Sequence, residues 1–263
     1  MLGPANLSKA LLSDDKSVLT APLYPGILSR IKPRLDQTLP IGNEGAGVVV
    51  AAGDSEQAQA LMGKTVAVLT GASYTQYCCV PVQACIVHHD GTTPHAAASS
   101  FVNPLTALGM VETMRMEGHT ALVHTAAASS LGIMLNKVCI KEGVALVNIV
   151  RKQEQVDLLT RLGAKFVVNS SSENFKKDLY KAIDATGATL AFDAIGGGEL
   201  AGDILATMEA VGSKEATGFN TYGSVDNKQV YIYGWLLCSI LRAYFHYYYL
   251  YLIENIISRK VVG

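Results

Sequence analysis

The chain has no excess of charge of either sign: 21 Lys and Arg stand against 22 Asp and Glu, for a net charge of −1. Nucleic acid and anionic membranes therefore lose their electrostatic case as partners. Its five cysteines (Cys78, Cys79, Cys85, Cys139, Cys238) are odd in number and contain no C-x-x-C pair, so a disulfide framework is not expected. The opening MLGPANLSKALLSDDK lacks the basic-then-apolar order of a signal peptide. These absences point to a reduced, intracellular setting, cytoplasmic first and mitochondrial second. No tyrosine has lysine four residues on, which sets aside the short-chain dehydrogenases, and no Gly-x-Ser-x-Gly marks a serine hydrolase. There is no internal repeat and no low-complexity linker. A membrane span needs ~20 largely apolar residues. The one aromatic-rich candidate, residues 235–263, is interrupted by Arg242, His246 and Glu254.

What is present is an ordinary globular composition, 49% hydrophobic and 16% charged over 263 residues. That is room for two modest domains or one large one. Residues 121–151, ALVHTAAASSLGIMLNKVCIKEGVALVNIVR, organise the rest. Residues 121–124 form a short apolar run, as a buried strand should. Leu131, Met134, Leu135, Val138 and Cys139 then recur at helical spacing and put one apolar stripe on a helix. Lys141 suits the negative end of that helix and Gly143 is a plausible stop. Residues 144–150 make a second buried strand.

Such a β-α-β unit offers a place for a diphosphate. The first-turn amides of the helix have no partner within the helix, and the dipole adds positive potential there. The turn must then be free of bulky side chains. It reads Thr125-Ala126-Ala127-Ala128-Ser129-Ser130-Leu131-Gly132, so of the G-x-G-x-x-G fingerprint only the last glycine is present. Serine is small, and its hydroxyl can cap the helix or donate to a phosphate; a closed turn that binds nothing is the competing reading. The second strand ends in Arg151-Lys152, where enzymes that use NAD commonly carry a carboxylate for the ribose. Two cations at that point fit the 2′-phosphate of NADPH, if a cofactor binds at all.

Residues 1–40 are broken by Pro4, Pro22, Pro25, Pro33 and Pro40 and read as loop with short helical pieces. Strands are expected at 46–52, 65–69, 74–80 and 84–87, divided by Gly-rich turns, as in an antiparallel β region. His88-His89-Asp90 with His95 is the one cluster that resembles metal ligands. Adjacent histidines on extended chain point opposite ways, however, so Asp90-Gly91 is read as a turn and Thr93-Pro94 as a helix start. Helix is expected from Pro94 and again over 105–116, with Asn103-Pro104 at the break. Beyond residue 151, helices at 155–162, 173–186 and 204–208 alternate with strands at 165–168, 189–193 and 229–233. The pattern predicts an α/β fold, a Rossmann-type doubly wound parallel sheet attached to a smaller β-rich domain.

With these residues laid out, the chain resembles the medium-chain dehydrogenase/reductase superfamily, in its zinc-free quinone reductase and enoyl-thioester reductase branch. The resemblance runs from about residue 39 to 234. It is carried by the string from Gly42 to Val49, by Val102-Asn103-Pro104-Leu105-Thr106-Ala107, by the turn ending at Gly132, by Asn148-Ile149-Val150-Arg151, by Leu162-Gly163-Ala164 and by Asp193-Ala194-Ile195-Gly196-Gly197. It implies three segments: 1–100 as a partial, incomplete GroES-like catalytic domain, 101–234 as the dinucleotide-binding domain, and 235–263 as an aromatic tail of unassigned packing. It also implies NADPH as cofactor and a quinone, an α,β-unsaturated carbonyl or an enoyl thioester as the small-molecule substrate. By the same similarity Asn103 and Thr106 line the nicotinamide and ribose, and Ser129, Ser130, Leu131 and Gly132 the diphosphate. Arg151 and Lys152 meet the 2′-phosphate, and Tyr233 lies near the nicotinamide. Zinc enzymes of the superfamily carry histidine where this chain has Asn43, and their four-cysteine lobe is missing, so no metal is expected. In enoyl reductases a tyrosine in the first strands of the catalytic domain assists proton transfer. The chain begins after that stretch, and no catalytic residue can be named from the sequence. A homodimer is one arrangement the resemblance allows. The alternative is a nucleotide-binding or protein-interaction module of the same fold without turnover.

Overall fold

The computed structural model describes residues 6–24, 28, 32, 35–215, 224 and 226–234, and the expectations for residues 235–263 lie outside them. The chain divides into two compact units, Met1–Phe101 and Val102–Gly263.

In the first unit a short antiparallel hairpin pairs β1 (Leu11–Leu12) with β2 (Leu19–Thr20). A three-stranded antiparallel sheet follows, in the order β3 (Glu44–Val48), β4 (Thr65–Leu69), β5 (Cys85–Val87). The one-turn helix α1 (Glu56–Gln59) lies between β3 and β4, capped by the Ser55 hydroxyl. Strand β3 stops at Val48, opposite Thr65, because Val49 donates to Lys64 O (3.0 Å) and accepts from Gly63 N (2.9 Å) in the turn that follows. After β5, Thr93 caps helix α2 (Pro94–Ala97) by accepting from Ala96 N, with proline in the first turn. Gly91 turns at φ +82° and His88 Nε2 lies 2.8 Å from Ser100 Oγ, in keeping with a turn and a helix start. Among the described residues no group of three or more His, Cys, Asp or Glu is placed to hold a metal ion.

Residues 74–80, expected as a strand, are bends and irregular chain. The chain entering this stretch is held by the loop before β3: Ser73 N donates to Gly42 O and Tyr74 N to Ile41 O. Tyr74 and Tyr77 are 75% and 77% exposed, so the β-forming residues that read as a strand have no buried face to serve.

The second unit begins with α3 (Val102–Met116). Asn103-Pro104, expected at a break, lies in the first turn of this helix, where the missing proline N–H removes no helical bond. Then β6 (Ala121–His124), α4 (Ser130–Glu142), β7 (Ala145–Val150), α5 (Gln153–Arg161), β8 (Phe166–Asn169), α6 (Phe175–Thr186), β9 (Leu190–Asp193), α7 (Leu200–Gly212) and β10 (Gln229–Ile232) alternate. Helix α4 stops at Gly143, which takes the left-handed conformation (φ 69°) that a side chain would disfavour. The strands form one parallel sheet in the order β10-β9-β6-β7-β8. Numbered within the unit this is 5-4-1-2-3, a doubly wound order whose direction reverses between β6 and β9.

Both faces of the sheet are covered. Ala107, Met110, Val111 and Met114 of α3 and Leu135 and Cys139 of α4 pack on Leu122, Leu146, Leu190 and Phe192. Leu179 and Ile183 of α6 and Ile204 and Met208 of α7 pack on Val123, Val147, Ile149 and Ala191. Burial on both sides explains why these strands read as continuous apolar runs. Each fully buried Leu or Ile contributes roughly 1.5–3 kcal/mol. His119 ties the amino-terminal edge of the sheet together, 2.7 Å from Thr189 Oγ1 and 2.6 Å from Gln229 Oε1. Among the described residues no helix is long and apolar enough to cross a membrane.

Candidate functional site

In an open α/β sheet the crevice for a ligand lies outside the carboxyl ends of the strands where their order reverses. Here that place is between the ends of β6 and β9. The residue after β6, Thr125, is fully buried and joins the two strands: its amide donates to Phe192 O (3.1 Å), and its hydroxyl donates to Asp193 Oδ1 (2.6 Å) while accepting from Ala194 N (2.8 Å). The buried Asp193 carboxylate also accepts from Ile195 N (2.9 Å) and Gly196 N (3.1 Å). A carboxylate so enclosed is tolerable only because its lone pairs are met. The exit of β10 packs backbone against backbone on the exit of β9, since a Cβ on Gly234 would come 1.7 Å from Ala194 O.

The turn after Thr125 is tight. Ala126 sits at φ +51°, a left-handed conformation that costs a non-glycine residue roughly 1–2 kcal/mol. Ala127 N donates to Ile149 O (3.1 Å), which sews the turn to β7. Ser129 is the N-cap of α4 and its hydroxyl oxygen accepts from Gly132 N (3.1 Å). An oxygen that accepts in this way still carries a proton to donate outward. A Cβ on Gly132 would lie 2.2 Å from Ala127 O, so the last glycine of the fingerprint is required by the approach of helix to turn. The amides of Ser130 and Leu131 open a 13-residue helix, and the helix itself cannot satisfy them.

Asn103 Nδ2 lies 3.5 Å from Ser130 Oγ, so Asn103, Ser129, Ser130 and Gly132 meet at one helix start. The Thr106 hydroxyl turns back to Val102 O (2.7 Å), and Leu131 is half-buried against the core shared by α3 and α4. Of Leu131, only the backbone is placed to meet a ligand. Arg151 and Lys152 follow β7 directly and are exposed. Gln155 Oε1 accepts from both of their amides (3.1 Å each) and fixes the chain where the strand hands over to α5. Lys152 Nζ is 3.2 Å from Glu154 Oε1, a solvent-exposed pair of little energetic weight. Tyr233 lies just past β10, its amide donating to Asp193 O (2.9 Å).

Sequence reasoning missed His124. It is fully buried at the end of β6, with Nε2 2.5 Å from Tyr233 Oη and the two rings nearly parallel at 16°. Burial holds its pKa down to about 4, opposed in part by the Asp193 charge, so the imidazole is neutral near pH 7. Burial, and then the same carboxylate, push the Tyr233 phenol well above the ordinary tyrosine range. The available signal was a histidine closing an otherwise apolar strand. Thr125 and Asp193 likewise gave no local sign of being partners.

No protein-family model matches the chain. Solved structures do. A Mesorhizobium loti protein described as an NADPH:quinone reductase is 29% identical with a TM-score of 0.58, matched over 81% of this chain. The chain spans 65% of that protein's length. A mycobacterial protein solved in complex with NADPH is 20% identical, with a TM-score of 0.54 over 86% of this chain and 74% of its own. The JamJ enoyl reductase is 18% identical, with a TM-score of 0.59 over 86% of this chain and 71% of its own. The two last agree with this chain in fold. The chain therefore carries the medium-chain dehydrogenase/reductase fold, and the branch it resembles is that of the quinone and enoyl reductases.

Proposed function

We propose that the chain binds NADPH at the carboxyl edge of its parallel sheet and serves as an oxidoreductase acting on a quinone or an α,β-unsaturated carbonyl or enoyl thioester. The observation that carries this reading is the turn of small residues from Ala126 to Gly132, drawn so close to the start of α4 that a Cβ on Gly132 would collide with Ala127 O, with the first amides of the helix left open beside it. The likeness to an NADPH:quinone reductase at 29% identity supports it.

In this reading Ser129, Ser130 and the first amides of α4 hold the diphosphate, aided by the helix dipole. Asn103, beside Ser130, orients the ribose, with Thr106 one turn further along α3. Arg151 and Lys152 pair with the 2′-phosphate, and Tyr233 stands at the nicotinamide end. NADPH, when bound, supplies the hydride. The residues of the site contribute orientation and a dry, preorganised crevice, which Thr125 and Asp193 keep in shape.

A fluorescence titration with NADPH, followed by assays on crotonyl thioester and on a quinone, tests the reading. Saturable binding with turnover of either substrate is the expected result; no binding contradicts it. Alanine at 127 and serine at 129, where the fingerprint has glycines, favour a second reading, a nucleotide-binding or protein-interaction module without turnover. Binding with no turnover of either substrate selects that module.

A further inference from the structure

Gln155 stands in the first turn of α5, just after the two cations that follow β7. Its side-chain oxygen accepts from Arg151 N and from Lys152 N, at 3.1 Å each, and its own amide donates to Lys152 O (3.1 Å). Two backbone donors converge on one oxygen, so the carboxamide fits in one sense only. Turned over, it would set its NH2 against two N–H groups. Oε1 is therefore fixed on the strand end, and Nε2, on the other arm of the same carbon, is turned away from those amides. Gln155 is only partly buried, and Nε2 has no hydrogen-bond partner among the described residues.

Capping does not by itself call for a neutral group here. Glutamine and glutamate both serve at the third position of a capping box, and a carboxylate gains from the helix dipole as well. The other side chains of this first turn are placed differently. The Glu154 side chain is 74% exposed, with its carboxylate 3.2 Å from Lys152 Nζ, and Gln153 Nε2 runs along the helix to Asp157 Oδ1 (2.9 Å). Of the three, only residue 155 sets its head group on the strand end that carries both cations. A carboxylate there would bring negative charge to that point and replace two donors by lone pairs.

We propose that Gln155 is a specificity residue for the phosphorylated dinucleotide: its neutral carboxamide satisfies the strand-end amides without adding negative charge, and its Nε2 donates to the 2′-phosphate beside Arg151 and Lys152. This rests on the NADPH reading above. Because Oε1 takes both amides, they are closed to the phosphate, and recognition passes to the side chains. A glutamate at 155 would hold the same amides with one oxygen and offer the other to a ribose 2′-OH, as the acidic residue does in enzymes that use NAD. The choice of cofactor then turns on one atom, nitrogen or oxygen, at the end of this side chain.

The test is calorimetric titration of the full chain, of Gln155→Glu and of Gln153→Glu with NADPH and with NADH. The unsubstituted chain should prefer NADPH, and Gln155→Glu should lower that preference by about tenfold or more. Gln153→Glu adds the same charge on a side chain turned along the helix and should change the preference by about twofold at most. An unchanged preference in Gln155→Glu, or equal shifts in both variants, overturns the role of Gln155. Urea denaturation without ligand reads the other arm of the carboxamide. Gln155→Glu should be at least as stable as the unsubstituted chain, since an oxygen still meets both amides; a clear loss overturns the placement of Oε1. An unsubstituted chain that binds neither dinucleotide, or does not prefer NADPH, overturns the proposed function and this inference with it. NADPH preference that Gln155→Glu leaves intact overturns the inference alone.

Discussion

Ala126 and His124 are two residues of the site whose local state departs from what their side chains prefer. Ala126 holds φ +51° at the start of the turn, where glycine would be unstrained. Ala126→Gly should raise stability by about 0.5–1 kcal/mol, the relief of strain less the greater freedom glycine gains when unfolded, as measured by urea denaturation. A loss of stability would mean the turn is not held as described. His124 makes a prediction in pH. Its folded pKa of about 4 lies below the ordinary 6.5, so the unfolded chain takes up a proton that the folded one refuses. This contribution to stability is complete above pH 6.5 and is lost as the pH falls toward 4, on the order of 3 kcal/mol in all. His124→Gln should flatten that part of the stability profile; an unchanged slope would assign it to other groups.

At the scale of elements, the crevice depends on β6 and β9 being pinned at their carboxyl ends by Thr125 and Asp193. Thr125→Val keeps the shape and removes the hydroxyl, leaving a buried carboxylate short of one donor and Ala194 N without its acceptor. The expected loss is about 2–4 kcal/mol in chemical denaturation, and a loss within error would show that the pin is unimportant. The elements themselves were legible in the sequence wherever the signal is local. Strand β6, the stripe of α4 and the stop at Gly143 follow from periodicity and one glycine, and β4 was legible to the residue. The segment 74–80 was not, because a run of β-forming residues says nothing of whether a partner strand exists. Asn103, Ser129, Ser130 and Gly132 could be picked from the sequence because the turn that gathers three of them is continuous in the chain. Thr125 with Asp193 and His124 with Tyr233 could not, since each partnership is made by sheet order between distant segments.

For the molecule as a whole, fold and likeness support one central claim: a phosphate-bearing dinucleotide lies across the turn before Gly132, its adenosine end met by the cations after β7. Arg151 is the discriminating residue, because it is exposed and follows the buried strand directly. Replacing it should leave the fold intact and remove one charge-assisted contact to the 2′-phosphate, which NADH lacks. The direct measurement is calorimetric titration of the chain and of Arg151→Ala with NADPH and with NADH. The account predicts that the substitution weakens NADPH binding by about tenfold or more and leaves NADH binding nearly unchanged. Equal losses for the two cofactors, or none for either, would contradict it.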